Sequence, residues 1–257
     1  MRISILVFFL STFSLLSQDY FTKRYKPFLN SVESPEKFLE YGIGEQHTRH
    51  DQIVSYFQRL ASVSKRAAIT YYGKTHEGRK LTFLIVSSEE NLEKLDEIQK
   101  QHLEYANGNL QSQPDIPVII NLAYNVHGNE PSSSEASMLA AYTLVASENS
   151  LIKSFRDDAI IFIDPTINPD GRDRHTQWAN TYKGNPLVSD PYDAEHNEMW
   201  PRGRTNHYWF DLNRDWLLAI NPESQGKLNW YHNWYPNVVT DFHEMGTQST
   251  YFFEPMK

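Results

Sequence analysis

The sequence predicts an α/β fold built on a largely parallel sheet, and three observations carry that prediction. Two short β-branched apolar runs, residues 117–123 (PVIINLA) and 159–163 (AIIFI), read as strands buried on both faces. Between them, Pro131 suits a first helical turn, and Ser132 and Glu135 are spaced as a capping box. Residues 132–147 therefore predict a helix with an apolar stripe of Ala136, Leu139, Ala140 and Leu144. A strand-helix-strand succession of this kind implies parallel pairing through a right-handed crossover. Finally, the 257 residues are 40% hydrophobic and 14% aromatic, enough for the core of one α/β domain of ordinary size.

The amino terminus reads Met1-Arg2, then an apolar run over residues 3–16, then Ser17-Gln18-Asp19. That is the charged start, short apolar core and small residue of a secretory signal over residues 1–17, too short for a membrane span. Its removal takes away Arg2 alone among charged groups and moves the net charge from −8 to −9. An acidic chain without basic clusters is not built to bind nucleic acid. With no cysteine at all, an exported protein of this size relies on its core rather than on disulfides, which suits a bacterial periplasm.

Residues 18–44, rich in Pro, Lys and aromatics without a clear period, read as a lead-in strap. Residues 50–64 predict a helix whose apolar face is Ile53, Tyr56, Phe57, Leu60 and Ala61. His47 and His50 have no third partner at ligand spacing and are expected to be solvated or to cap that helix. Residues 67–72 and 81–86 flank Glu77-Gly78 as a hairpin, and Leu92, Leu95, Ile98 and Leu103 mark an exposed, highly charged helix. Residues 164–214 show no clear periodicity, which in a compact domain points to a functional loop. Its Trp178, Trp200, Tyr208 and Trp209 either line a peptide groove or pack beneath the loop. Asn168 to Gly171 is expected to form a turn, with Gly171 free to take positive φ. Residues 222–235 predict a last helix before the strand of residues 238–242.

The chemistry concentrates at strand ends. His127 and Glu130 stand three residues apart in the turn between the first apolar strand and its helix, where open α/β sheets bind ligands. Much later, a second apolar strand ends on His243. Two His and one Glu are a ligand set of catalytic zinc, whose fourth position is left to water. Arg202, Arg204 and Arg214 add guanidinium groups suited to carboxylates and developing oxyanions.

Four ordered motifs, His127-Gly128-Asn129-Glu130, Asn168-Pro169-Asp170-Gly171, Asp211-Leu212-Asn213-Arg214 and the strand-final His243, make the chain resemble zinc metallocarboxypeptidases of the carboxypeptidase A/B type over residues 45–257. The resemblance implies a mixed, mostly parallel sheet flanked by helices. It also implies Zn2+ on His127, Glu130 and His243, with Asp211 holding the His127 ring. Asn213 and Arg214 match the pair that grips a substrate's terminal carboxylate, and Arg202 or Arg204 fills the catalytic, oxyanion-stabilising role. Trp200-Pro201-Arg202 favours Arg202 for that role, while Asn129 stands where carboxypeptidase A has an arginine. The family's general-base glutamate follows the third ligand by several strands, and only Glu244 and Glu254 follow His243 here. The expectation is therefore a catalytic domain truncated at its C-terminus, the amino-terminal part of a longer protein, with the Tyr251-Phe252-Phe253 strand incompletely covered. The implied activity is hydrolysis of C-terminal peptide bonds of peptides or proteins with a free C-terminus, in proteolysis, by a secreted or periplasmic enzyme. The alternatives are a catalytically incomplete zinc- or peptide-binding module and a zinc amidohydrolase of cell-wall peptides.

Overall fold

The computed structural model describes residues 22–246. The expected signal at residues 1–17, the Tyr251-Phe252-Phe253 strand and Glu254 lie outside them. Five strands, β1 (Ala67–Lys74), β2 (Lys80–Val86), β3 (Val118–Tyr124), β4 (Ala159–Asp164) and β5 (Val238–Phe242), form one sheet in the order β1-β2-β4-β3-β5. β2 runs antiparallel to both β1 and β4, whereas β3 runs parallel to β4 and β5, so four of the five strands point the same way. The sheet is mixed and mostly parallel, as the motifs imply.

Side chains alternate faces along each strand, and both faces are covered. Leu84, Val86, Ile161 and Ile163 meet helices α2 (His50–Val63) and α5 (Pro131–Ala146) through Ile53, Tyr56, Phe57, Leu60, Met138 and Val145. Phe83, Ile85, Ile119, Ile160 and Phe162 meet α4 (Leu95–Ala106) and α8 (Pro222–Trp234) through Ile98, Trp230 and Trp234. The strap, with its short helix α1 (Pro35–Leu39), docks on the first of these layers, where Leu29 N–H donates to Ala146 O at 2.8 Å.

β3 is the point at which the topology reverses. The chain leaves β3 through α5 and α6 (Ser150–Asp158) to reach β4 on one side, then returns through α7 (Pro169–Tyr182) and α8 to place β5 on the other. Such a switch point leaves a crevice beyond the carboxyl ends of the strands. The register aligns Tyr124 with Phe242, and their rings stack at 4.3 Å. His127 and His243 thus leave neighbouring strand ends, although most of the domain separates them in sequence.

Several expectations change. The charged helix of residues 92–103 is two helices, α3 (Glu89–Glu93) and α4, broken at Lys94, and Ile98 and His102 on α4 are buried. Ser132 and Glu135 form no capping box; Glu130 takes the N-cap position of α5 without a side-chain bond. Glu135 is buried and pairs with Arg172 at 2.7 Å while accepting from Thr48 N–H and Oγ1, because a buried guanidinium needs a carboxylate more than a helix end does. The stripe of Ala136, Leu139, Ala140 and Leu144 lines a half-open cavity of about 560 Å3, while Ser133, Ser134, Ser137, Met138, Ala141 and Val145 face inward. The small serines bring α5 close to the sheet, and Ser134 Oγ finds Pro165 O at 2.7 Å. Finally, Asn168 to Gly171 is the start of α7 rather than a turn: Asn168 Oδ1 accepts from Gly171 N–H at 3.0 Å, and Pro169 occupies the first turn.

Candidate metal centre

The turn after β3 is shaped by Asn125, which takes φ 61 and donates through Nδ2 to His127 O and Glu130 O, each at 2.8 Å. Asparagine tolerates this left-handed conformation better than most residues. The turn packs directly on α7, since a Cβ on Gly128 would lie 2.1 Å from Gly171 C. Gly171 does not take the positive φ expected of it; a Cβ there would instead lie 2.5 Å from Gly203 O, so its lack of a side chain lets the arginine-bearing loop come close. Asn168 Nδ2 donates to both Val126 O (3.2 Å) and Arg204 O (3.1 Å), tying the turn to the loop that carries the arginines.

Three donors converge there. His127 Nδ1 lies 2.8 Å from Glu130 Oε1 and His243 Nδ1 lies 3.3 Å from Glu130 Oε2, and ligand atoms of the three residues lie within 4.8 Å of one another. His127 is buried, Glu130 half-buried and His243 exposed, so the cup opens to solvent on one side. The opposite nitrogen of each ring faces an aspartate: His127 Nε2 is 3.1 Å from Asp211 Oδ1 and His243 Nε2 is 2.9 Å from Asp241 Oδ2. A carboxylate behind each imidazole fixes the tautomer that presents Nδ1 to a cation. Two imidazoles and one carboxylate with an open side fit Zn2+ by donor chemistry and by count.

The electrostatics keep the carboxylates charged. Burial alone would raise the pKa of Glu130, but the bond to His127, the Glu244 backbone N–H at 2.9 Å and the nearby imidazoles bring it below the usual glutamate range. Burial acts on Asp211 in the same direction and is outweighed by Arg204, which reaches Asp211 Oδ2 through Nε (3.1 Å) and Nη2 (2.9 Å).

The structure brings Arg204, rather than Arg202, to this cup: Arg204 Nη1 is 3.3 Å from His127 Nδ1 and 3.9 Å from Glu130 Oε1. Arg202 is exposed at φ 61, and its carbonyl accepts from Arg174. Asn213 and Arg214 follow Asp211 in a short 3-10 turn; Arg214 is exposed, and its Nη1 donates to Asn213 O at 2.9 Å. Glu244 is held at Ser132 through N–H and Oγ. Trp200 packs on Trp209 at 4.6 Å on the outer surface, while Trp178 lies apart and donates to Ala194 O. His50 is buried against Lys80 O rather than solvated, whereas His47, partly exposed, packs edge-on against His175; Arg49 holds the cap position of α2. The residue that sequence reading missed is Asp241, whose signal was an acidic residue two positions before a strand-final histidine, hence on the same face. A second group, Glu77, Asp170 and His207, is already bridged by Arg79, which pairs with both acids, and reads as an ion-pair network.

The family described as zinc carboxypeptidase matches residues 53–250, which include all four motifs. The chain belongs to the zinc carboxypeptidase family. A Shewanella denitrificans structure named for carboxypeptidase A shares the fold at 17% identity and TM-score 0.50, covering 78% of this chain and 40% of its own. A Burkholderia mallei structure named for the carboxypeptidases aligns at 19% identity and TM-score 0.48 over 76% of this chain and 38% of its own. Carboxypeptidase A from Helicoverpa armigera aligns at 15% identity and TM-score 0.49 over 90% and 52%. The chain thus spans about two-fifths to half the length of these structures. Comparison with curated protein sequences gave no match. No described helix of this family member is long and apolar enough to cross a membrane.

Proposed function

We propose that the chain is the metal-holding part of a zinc-dependent carboxypeptidase that hydrolyses the last peptide bond of peptides with a free carboxyl terminus. The observation that carries this reading is the convergence of His127 Nδ1, His243 Nδ1 and the Glu130 carboxylate, each imidazole backed by an aspartate. Zinc in such a site supplies Lewis acidity, polarising the scissile carbonyl and making water a nucleophile near neutral pH.

The chain's own groups supply the rest. Asp211 holds two groups at once, the His127 ring and the Arg204 guanidinium, so that Arg204 stands beside the ligands without reorganising as charge develops on the carbonyl oxygen. Arg204 therefore takes the oxyanion-stabilising role. Arg214, exposed just beyond Asp211, offers a planar fork to the terminal carboxylate, with Asn213 beside it. The reading includes export, supported by the charged start and apolar core of residues 1–17.

The test combines metal content with two peptides differing only at the carboxyl end. Stoichiometric zinc, and turnover of the free-acid peptide with none of its amidated twin, is the expected result. Equal turnover of both would remove the role of Arg214 and favour an amidohydrolase, and absence of zinc after loading would overturn the metal assignment.

A further inference from the structure

Glu198 lies in the segment between α7 and α8, outside every motif that identifies the family, yet its carboxylate is where three segments meet. Oε2 accepts from Asn129 Nδ2 at 2.9 Å, and Oε1 accepts from the Gly203 backbone N–H at 3.0 Å. His175 on α7 places Nδ1 2.9 Å from the same Oε1, off the line of a directed N–H bond. The Glu198 side chain is only 10% exposed, and a carboxylate taken this far out of water is retained only where its oxygens are satisfied. Burial acts to raise its pKa, but His175, Asn129 and the Gly203 N–H more than offset that and keep it ionised.

The two donors have a common property. Asn129 immediately precedes Glu130, and Gly203 immediately precedes Arg204. One carboxylate thus clamps the turn that carries a ligand to the loop that carries the arginine, and those two side chains lie 3.9 Å apart at their nearest polar atoms. The turn of the second segment is built for the clamp: Arg202 N–H donates to Met199 O at 3.0 Å, and φ 61 at Arg202 swings Gly203 N–H back toward Glu198. Asn129 also fits this role by its chemistry, because its neutral amide donates inward to Glu198 rather than presenting charge to a substrate.

We propose that Glu198 is a positioning residue that sets the separation of Glu130 and Arg204, acting through Asn129 and Gly203. The proposal rests on the zinc carboxypeptidase reading above. Glu198→Ala frees both donors, and Glu198→Gln retains one acceptor oxygen while turning its amide donors toward a donor. Metal affinity and transition-state stabilisation should therefore both weaken, while recognition of the terminal carboxylate by Arg214 is untouched.

The experiment compares the full chain with Glu198→Ala, Glu198→Gln and Asn129→Ala. Zinc affinity is read by chelator competition, kcat and KM are read separately on a free-acid peptide, and thermal unfolding is followed with and without metal. Expected for Glu198→Ala is zinc bound about 10-fold or more weakly, as when partners that orient ligands are removed elsewhere. The same variant should lose kcat with KM within about twofold, since an interaction made only in the transition state moves kcat alone. Asn129→Ala should show part of the zinc effect. Equal zinc affinity and equal kcat in Glu198→Ala would overturn the proposal alone. A rise in KM with unchanged kcat would assign Glu198 to substrate binding and overturn it too. An unsubstituted chain that binds no zinc would instead overturn the reading on which the proposal rests.

Discussion

His127 and His243 hold their rings 5.0 Å apart, and so do His47 and His175 on the other side of the loop. The two pairs differ in what faces their nitrogens. In the first, one carboxylate lies between the rings and an aspartate backs each of them. In the second, the Glu198 carboxylate beside His175 is already held by Asn129 and Gly203, and burial together with the second imidazole drives His47 down to about 3. Equal imidazole spacing therefore goes with a carboxylate between the rings in one place and with an edge-on ring pair that shares no carboxylate in the other. The carboxylates make the difference.

Glu130→Ala is the strongest way to break that contrast, because it removes the group that faces both rings. Zinc affinity should fall by more than about 100-fold, beyond the 10- to 100-fold typical when an orienting partner is lost. Metal content after dialysis against a buffered zinc pool reads this directly, and retained stoichiometric zinc would mean that the imidazoles alone define the site.

Asp211→Asn and Asp241→Asn sharpen the contrast from the other side, leaving all three ligands and weakening what lies behind the rings. Each should lower zinc affinity about 10- to 100-fold. They should differ in catalysis, since only Asp211 also holds Arg204 through two bonds. Asp211→Asn is expected to lose kcat in metal-saturated enzyme, while Asp241→Asn regains most of it at high zinc. If saturating zinc restores both variants equally, Arg204 is held by something other than Asp211.

The sheet was legible because its strands are apolar runs of the right length, and the cup because ligands at strand ends gather wherever a topology reverses. Less legible was everything held by buried polar partners. The spacing of Ser132 and Glu135 is that of a capping box, yet Glu135 turns inward because Arg172, 37 residues away in sequence, lies fully buried beside it. Helix α7 carries a buried arginine and aspartate where an apolar stripe would announce a helix, so its residues read as loop. Arg202 fitted a local sequence resemblance, but Asp211, which selects between the two arginines, bonds Arg204. Glu135 and the buried residues of α7 have partners distant in sequence, which no local period encodes.

The smallest expected effect probes the second pair by its pH dependence. The unfolded chain protonates His47 near the ordinary histidine value of about 6.5. The folded chain holds it neutral down to about 3, chiefly through burial, then through His175, Arg172 and Lys183, with Glu198 opposing. A folded value below the unfolded one means that the unfolded state binds the extra proton, so this contribution is complete above pH 6.5 and is lost as pH falls from there toward 3. The loss approaches about 1.4 kcal/mol per pH unit for one proton. His50, likewise lowered by burial, adds to the same window, whereas Glu130, Glu198 and Asp211 act only at lower pH, so one variant isolates the histidine of interest. His47→Phe keeps a flat ring against His175 and leaves the backbone bonds of residue 47 to Asn180 in place, but carries no proton. The difference in unfolding free energy between the native chain and His47→Phe, from urea titrations at half-unit steps of pH, should be flat above pH 6.5 and favour the variant increasingly below it. A difference that stays flat down to pH 4.5 would show that His47 accepts its proton in the folded state, and the two histidine pairs would then be less distinct than their partners make them.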